Sequence, residues 1–239
     1  MTGLGERGAI GFVVAMPVEA KPLVKALSLR GAGANRWEGA LDGRPIVAVV
    51  TGMGTELAMA GTQRLLDGDT SIERVVVVGI TGAIDDTTAI GTVVRPAAVV
   101  NSHTGAEFRP SPLGGGAPCG IMWTTDVLLS GADTYDDLRA RGVVCLDMET
   151  AAIAEACEAH GVPWSVFRAI SDGPADEVDE EVFKLSNQDG TPNLGNVARY
   201  VLKHPGRIPG MARMGRNLKI ATDAATAAAL AACRAPTET

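Results

Sequence analysis

Aromatic residues are scarce in this chain, at 4% of 239 positions, and there are only three histidines and four cysteines. So little cysteine excludes a disulfide scaffold. Cys119, Cys145, Cys157 and Cys233 lie far apart with no CxxC pair, and they read as reduced thiols in a reducing cytoplasm. His103, His160 and His204 stand apart without ligand spacing, so no metal site is expected. Basic charge is short as well: 21 Lys plus Arg face 28 Asp plus Glu, for a net charge of −7, which argues against a broad nucleic-acid surface. Long apolar runs are missing, since none approaches the ~20 residues of a membrane span. The first, Ile10 to Met16, stops at Pro17 and is too short for a signal peptide. What remains is a chain that is 46% hydrophobic with 29 glycines, ample for one compact core in a cytoplasmic protein.

The apolar runs alternate with helical patterns. Ile10 to Met16 reads as a strand buried on both faces, and Glu19 to Leu29 follows at helical spacing, which is the opening of an α/β fold. Trp37 to Gly43 and Arg44 to Val50 read as a hairpin around the turn dipeptide Asp42-Gly43. A helix over Glu56 to Leu66 comes next, then the β-branched run Arg74-Val-Val-Val-Val-Gly79, expected to be the central strand. Thr92 to Asn101 is expected as one further strand, and residues 104–120, rich in glycine and proline, as an ordered loop or flap. Gly142 to Leu146 (strand), Met148 to His160 (helix) and Pro163 to Ile170 (last core strand) complete the pattern.

Beyond Asp172 the chain turns acidic and polar. A helical pair broken by Pro205 and Pro209 is expected over Asn193 to Arg216, and an alanine-rich helix over Ala221 to Cys233. The organisation expected is one α/β domain, 1–192, with a helical C-terminal addition, 193–239.

Ligands of open α/β sheets gather at the carboxyl ends of strands, and five such ends carry polar or glycine-rich residues. Thr51-Gly-Met-Gly54 ahead of a helix would aim backbone N–H groups at a ligand. It is no dinucleotide fingerprint, because Leu57 stands where the third glycine belongs, and without a lysine it is no Walker loop. A plain tight turn accounts for it equally well, as simple bending does for Gly79-Ile-Thr-Gly82. Asp172, closing an apolar strand, is either a general acid with a raised pKa or a helix N-cap. Glu149 opens a helix, where the dipole favours a carboxylate whatever else it does, and Glu19 reads likewise as a first-turn acid. Arg168 is a candidate structural partner for a buried carboxylate.

Taken in order, Ala15-Met-Pro-Val-Glu19, Thr51-Gly-Met-Gly54, Val78-Gly-Ile-Thr-Gly82, Leu146-Asp-Met-Glu-Thr-Ala-Ala152 and Phe167-Arg-Ala-Ile-Ser-Asp172 resemble the motifs of the purine nucleoside phosphorylase and nucleosidase superfamily. The likeness is greatest to the methylthioadenosine/S-adenosylhomocysteine nucleosidases and spans about residues 8 to 185. The resemblance implies a three-layer α/β sandwich with a mixed central β-sheet flanked by helices. It implies hydrolysis of the bond between ribose and an adenine base, without metal or organic cofactor, in a homodimer. By the same resemblance Asp172 is the acid at N7 of the base, Glu149 holds ribose hydroxyls, Met148 packs on the sugar and Glu19 handles the attacking water. Ile80, Gly82, Ser171, Met53 and Gly54 line the substrate. Glycoside cleavage through an oxocarbenium-like state needs such an acid and such a carboxylate.

This chain also departs from the pattern. Only Glu19 remains of an acidic run, the other positions being Met16-Pro17-Val18, and Ile80 stands where a small polar residue is usual. No aromatic matches the one that stacks on the base, so Leu128 or Val127 would take its place. The missing arginines and serine of a phosphate clamp favour water as nucleophile. The stretch Leu202-Lys-His-Pro-Gly-Arg-Ile-Pro-Gly210, with Arg213 and Arg216, is similar to the tail of hopanoid-associated nucleoside phosphorylases. That likeness keeps open phosphorolysis of an adenosine with a large lipid at its 5′ carbon. A nucleoside-binding module without turnover is the third alternative.

Overall fold

The computed structural model describes residues 8–127, 129, 131–176, 196, 199 and 203–235. The chain enters through β1 (Ala9–Val14), buried along its whole length, and turns at once into α1 (Pro17–Leu27). At the centre lies β5 (Ile72–Ala83). Because strand side chains alternate between faces, Val75 and Val77 enter the core on one side of the sheet and Val76 and Val78 the core on the other. A run of four valines is what a strand covered on both sides requires.

β5 organises a mixed sheet. β4 (Arg44–Val50), β1 and β5 run parallel, and β11 (Trp164–Asp172) runs parallel to β5 on its other flank. β10 (Val143–Asp147) meets the end of β5 antiparallel, Leu146 opposite Gly82 and Cys145 opposite Ala83. The chain leaving β10 therefore travels back toward Thr81 and Ile80. Beyond β10 the sheet continues through β9 (Ile121–Thr124), β7 (Ala98–Asn101) and β8 (Glu107–Phe108). Its far edge is the hairpin of β3 (Arg36–Leu41) with β4, extended by β2 (Arg30–Gly31). Asp42 (φ 50°) and Gly43 (φ 82°) form that turn, both with the positive φ that a two-residue hairpin loop requires.

Helices cover both faces. α2 (Thr55–Gly68) and α4 (Thr150–Ala159) share a core with Val75 and Val77, while α1 and α5 (Ile208–Arg234) share one with Val76 and Val78. The result is the expected three-layer α/β sandwich. No helix among the described residues is long and apolar enough to cross a membrane.

Three expectations need correction. Thr92 to Asn101 is two strands: β6 (Val93–Val94) pairs with β11 and β7 pairs with β9. Pro96 falls between them, where a missing N–H and a fixed φ break a continuous ladder. β9 and α3 (Ala132–Ala140) were not foreseen, as their apolar signal is short and set among glycines. Last, the residues from 208 onward form one helix about 40 Å long instead of separate pieces. Pro209 lies in its first turn, where a proline costs no hydrogen bond, and Ala221, Ala225, Ala229 and Leu230 bury its far half against the sheet. The boundary at 192/193 lies outside the described residues. The expected ordered loop at 104–120 is present apart from β8: Ser111 exchanges backbone and hydroxyl hydrogen bonds with Trp164 and Ser165, 2.7 Å each, and the Arg95 guanidinium binds the Leu113 carbonyl at 2.7 Å.

Candidate active site

The turn from β1 into α1 places Glu19 at the third helical position, where a carboxylate reaches back to N–H groups that a helix start leaves unpaired. Its Oε2 accepts the Ala15 and Met16 N–H groups, both at 2.9 Å. Oε1 accepts the Ile80 N–H at 2.8 Å and faces Nη1 of Arg168 at 3.6 Å. Glu19 is only 1% exposed. Gly79 explains how it fits: a Cβ there would lie 2.3 Å from Glu19 Oε1 and 2.7 Å from Arg168 Nη1. The glycine noted in the sequence for bending makes room for an ion pair.

Arg168 lies opposite Gly79 in the β5–β11 ladder and is 2% exposed. Its Nη2 donates to Asp147 Oδ2 at 2.8 Å and to Glu149 Oε2 at 3.2 Å, and Nη1 donates to the Ile80 carbonyl at 3.0 Å. Asp147 also accepts the Thr124 hydroxyl at 2.6 Å and the Thr150 N–H at 2.8 Å. Glu149 sits at the N-cap of α4, and its Oε1 takes the Gly54 N–H at 3.0 Å. One guanidinium thus serves three buried carboxylates. Burial pushes Glu149 up to about 7; Arg168 opposes that rise, while Asp147 and Glu19 add to it. Burial likewise raises Glu19, against Arg168 and the three N–H groups.

Asp172 ends β11 opposite Gly82 and is half-buried. A Cβ on Gly82 would stand 3.3 Å from its Oδ2, a tight approach that the glycine avoids. Ser171 donates its hydroxyl to Oδ1. Burial raises the Asp172 pKa, the Ser171 hydrogen bond lowers it and the Asp176 charge raises it. Gly79, beside Glu19, and Gly82, beside Asp172, are three residues apart on one strand, about 10 Å.

The structure therefore brings Glu19, Ile80, Gly82, Gly54, Glu149, Ser171 and Asp172 to one end of the sheet, with Met53 and Met148 half-buried at the adjoining turns. Leu128 lies outside the described residues; its neighbour Val127 is exposed. Sequence reasoning missed the hub made by Asp147, Thr124 and Thr150. It also missed Asp126, which takes the Thr55 N–H at 2.9 Å and its hydroxyl at 2.6 Å and so ties the loop after β9 to the start of α2. The only available signal was an aspartate at each of two strand ends. Trp164 is core, and Trp123 carries the Arg141 guanidinium at 4.3 Å. A crevice of about 510 Å³ between α1 and α5 is lined by other residues and lies apart from these groups.

A mixed sheet with an acid and a carboxylate cluster at one strand end defines a class, and the chain belongs to it: it is a member of the phosphorylase superfamily, matched over residues 9–118 and 113–203. The 5′-methylthioadenosine/S-adenosylhomocysteine nucleosidase of Glaesserella parasuis is 27% identical over 196 residues, 68% of this chain and 85% of that protein. Among solved structures, the nucleosidase of the same name from Neisseria meningitidis, in complex with methylthio-immucillin-A, has a TM-score of 0.70 at 16% identity. That match covers 95% of this chain and 100% of the other. The native futalosine hydrolase of Helicobacter pylori has a TM-score of 0.65 at 14% identity, over 92% and 95% of the two chains.

Proposed function

We propose that this chain hydrolyses the N-glycosidic bond of a 5′-substituted adenine nucleoside and releases free adenine. The observation that carries the reading is the alignment of Asp172, Ile80 and the Glu19/Glu149 cluster along Gly79–Gly82 of β5. A nucleoside laid along that edge has its base at Asp172 and its sugar at Glu149. The relatives named 5′-methylthioadenosine/S-adenosylhomocysteine nucleosidase support the substrate class.

The chemistry divides among these groups. Asp172, whose burial favours the protonated form, gives its proton to N7 as the bond from C1′ to N9 breaks, so that adenine leaves neutral. Glu149 accepts hydrogen bonds from the ribose hydroxyls and faces the positive charge growing at C1′. Met148, Met53, Gly54, Ile80 and Ser171 line the sugar and base. Glu19 holds the water whose oxygen bonds to C1′, and the proton lost from that water passes to the carboxylate. The reading carries with it a homodimer in the cytoplasm and no metal or organic cofactor.

Phosphate is the competing nucleophile. A dianion needs cations, and Arg168 is already shared among Asp147, Glu149 and Glu19, which supports water. One observation favours the second reading, phosphorolysis of an adenine nucleoside with a large, hopanoid-type 5′ lipid. The start of α5 exposes Ile208 and Met214 among Arg213 and Arg216, a surface suited to an apolar substituent.

The test is a panel of methylthioadenosine, adenosylhomocysteine, adenosine, inosine and futalosine, each with and without phosphate, with chromatographic detection of free base. Adenine released at the same rate in both arms supports hydrolysis, and a rate that requires phosphate supports the second reading. A ligand that raises Tm without forming product would make the protein a binding module. Asp172→Asn is expected to lower the rate by at least about 100-fold with the fold intact.

A further inference from the structure

We propose that Arg213, acting through Asp176, is a positioning residue for the acid Asp172, so that α5 takes part in setting the catalytic geometry. The inference rests on the reading of Asp172 as the proton donor and deepens it.

The four residues after Asp172 form a short, internally tied loop. The Asp176 N–H donates to the Gly173 carbonyl at 2.9 Å, and Asp176 Oδ2 accepts the Gly173 N–H at 3.0 Å. That N–H belongs to the peptide joining Gly173 to Asp172, so Asp176 fixes the backbone from which the acid hangs. Asp86 Oδ1 takes the Ala175 N–H at 2.9 Å and anchors the loop on the segment after β5. The second oxygen of Asp176 belongs to Arg213, whose Nη2 lies 3.0 Å from Oδ1. The chain of contacts runs from α5 through one ion pair and one hydrogen bond to the peptide of Asp172.

Charge follows the same path. The Asp176 carboxylate bears on Asp172 as a like charge, and Arg213 offsets it. Among the described residues, the other groups that face Asp172 are the Ser171 hydroxyl and, from α3, the Tyr135 phenol, itself held up by burial and by the Asp172 and Asp86 charges. Arg213 adds a positive charge to this group through its contact with Asp176. The pair is half-exposed, so its strength is that of a surface ion pair, which sets the scale of effect at about 1.4- to 5-fold.

The experiment is a titration of the Asp172 carboxyl carbon by NMR in the full-length protein, its signal assigned by loss in Asp172→Asn, alongside kcat and KM against pH. Arg213→Ala is expected to raise the Asp172 midpoint by a few tenths of a pH unit and lower kcat about two- to five-fold at unchanged KM. Asp176→Asn is expected to lower the midpoint, the double variant to follow Asp176→Asn, and Arg213→Lys to restore the wild-type midpoint. Shifts of opposite sign cannot come from general loosening of the fold. Midpoints that do not move, or that move together in both single variants, overturn the proposal. A wild-type protein that releases no base would refute the proposed function, while the titration would still decide the role of Arg213.

Discussion

Replacing Arg168 by methionine removes the shared cation from a buried cluster of three carboxylates, and the contacts it leaves behind set the size of the loss. Arg168 is 2% exposed and bonded to Asp147, Glu149 and the Ile80 carbonyl. Methionine fills much of its volume yet leaves the acids facing one another without a counter-charge. Breaking a buried pair in this way costs about 3–5 kcal/mol, a large share of the roughly 5–15 kcal/mol that holds a domain together. For a chain of this length the fall in Tm is about 6–20 °C. The loss depends on pH. Burial already holds Glu149 at about 7 against an ordinary 4.5, so its contribution to stability is fully present below 4.5 and is lost as pH rises through about 7. Without Arg168 to oppose that rise, Glu149 and Glu19 move higher still. The variant should therefore be much weaker than wild type at pH 8 and recover at least half the difference at pH 5.5. Urea unfolding of both proteins at the two pH values measures this. A penalty under 1 kcal/mol at pH 8, or one equal at both pH values, would refute the reasoning.

Three further outcomes concern the site itself. Gly79→Ala drives a methyl to 2.3 Å from Glu19 Oε1 and should lower stability by about 1–3 kcal/mol and reduce base release, checked by thermal melts and turnover. The rate should rise with pH as Glu149 ionises near 7. Glu149→Gln should remove the share of that rise that reports Glu149, leaving the share that reports Glu19, and narrow the gap between ribose and 2′-deoxyribose substrates. Asp126→Ala removes the acceptor of the Thr55 N–H and hydroxyl and should cost about 1 kcal/mol, a Tm drop of about 2–4 °C, with KM raised more than kcat is lowered.

The strands that build the centre were legible because their signal is local. The valines of β5 alternate into two cores, and Asp42-Gly43 declares a hairpin whatever surrounds it. β9 and α3 were illegible for the complementary reason: Ile121–Thr124 is four residues long and half-buried, and α3 buries Leu138 alone along its length. At the site, the glycines, Glu19, Glu149 and Asp172 could be read as candidates, but Arg168 could only be read as a partner for some unspecified acid. Which acids it serves depends on β10 running antiparallel to β5, and no spacing along the chain records the direction in which a distant strand returns.

The Glu19–Arg168 contact joins α1, early in the chain, to β11, about 150 residues later. A ribosome extrudes them far apart in time. Until β11 emerges, a Glu19 packed beneath Gly79 has three N–H donors but no cation, which favours its protonated form. A chain that ends before residue 168 would thus lack the charge that lets this carboxylate ionise under the sheet, and the early strands are held to their final packing only when the late one arrives.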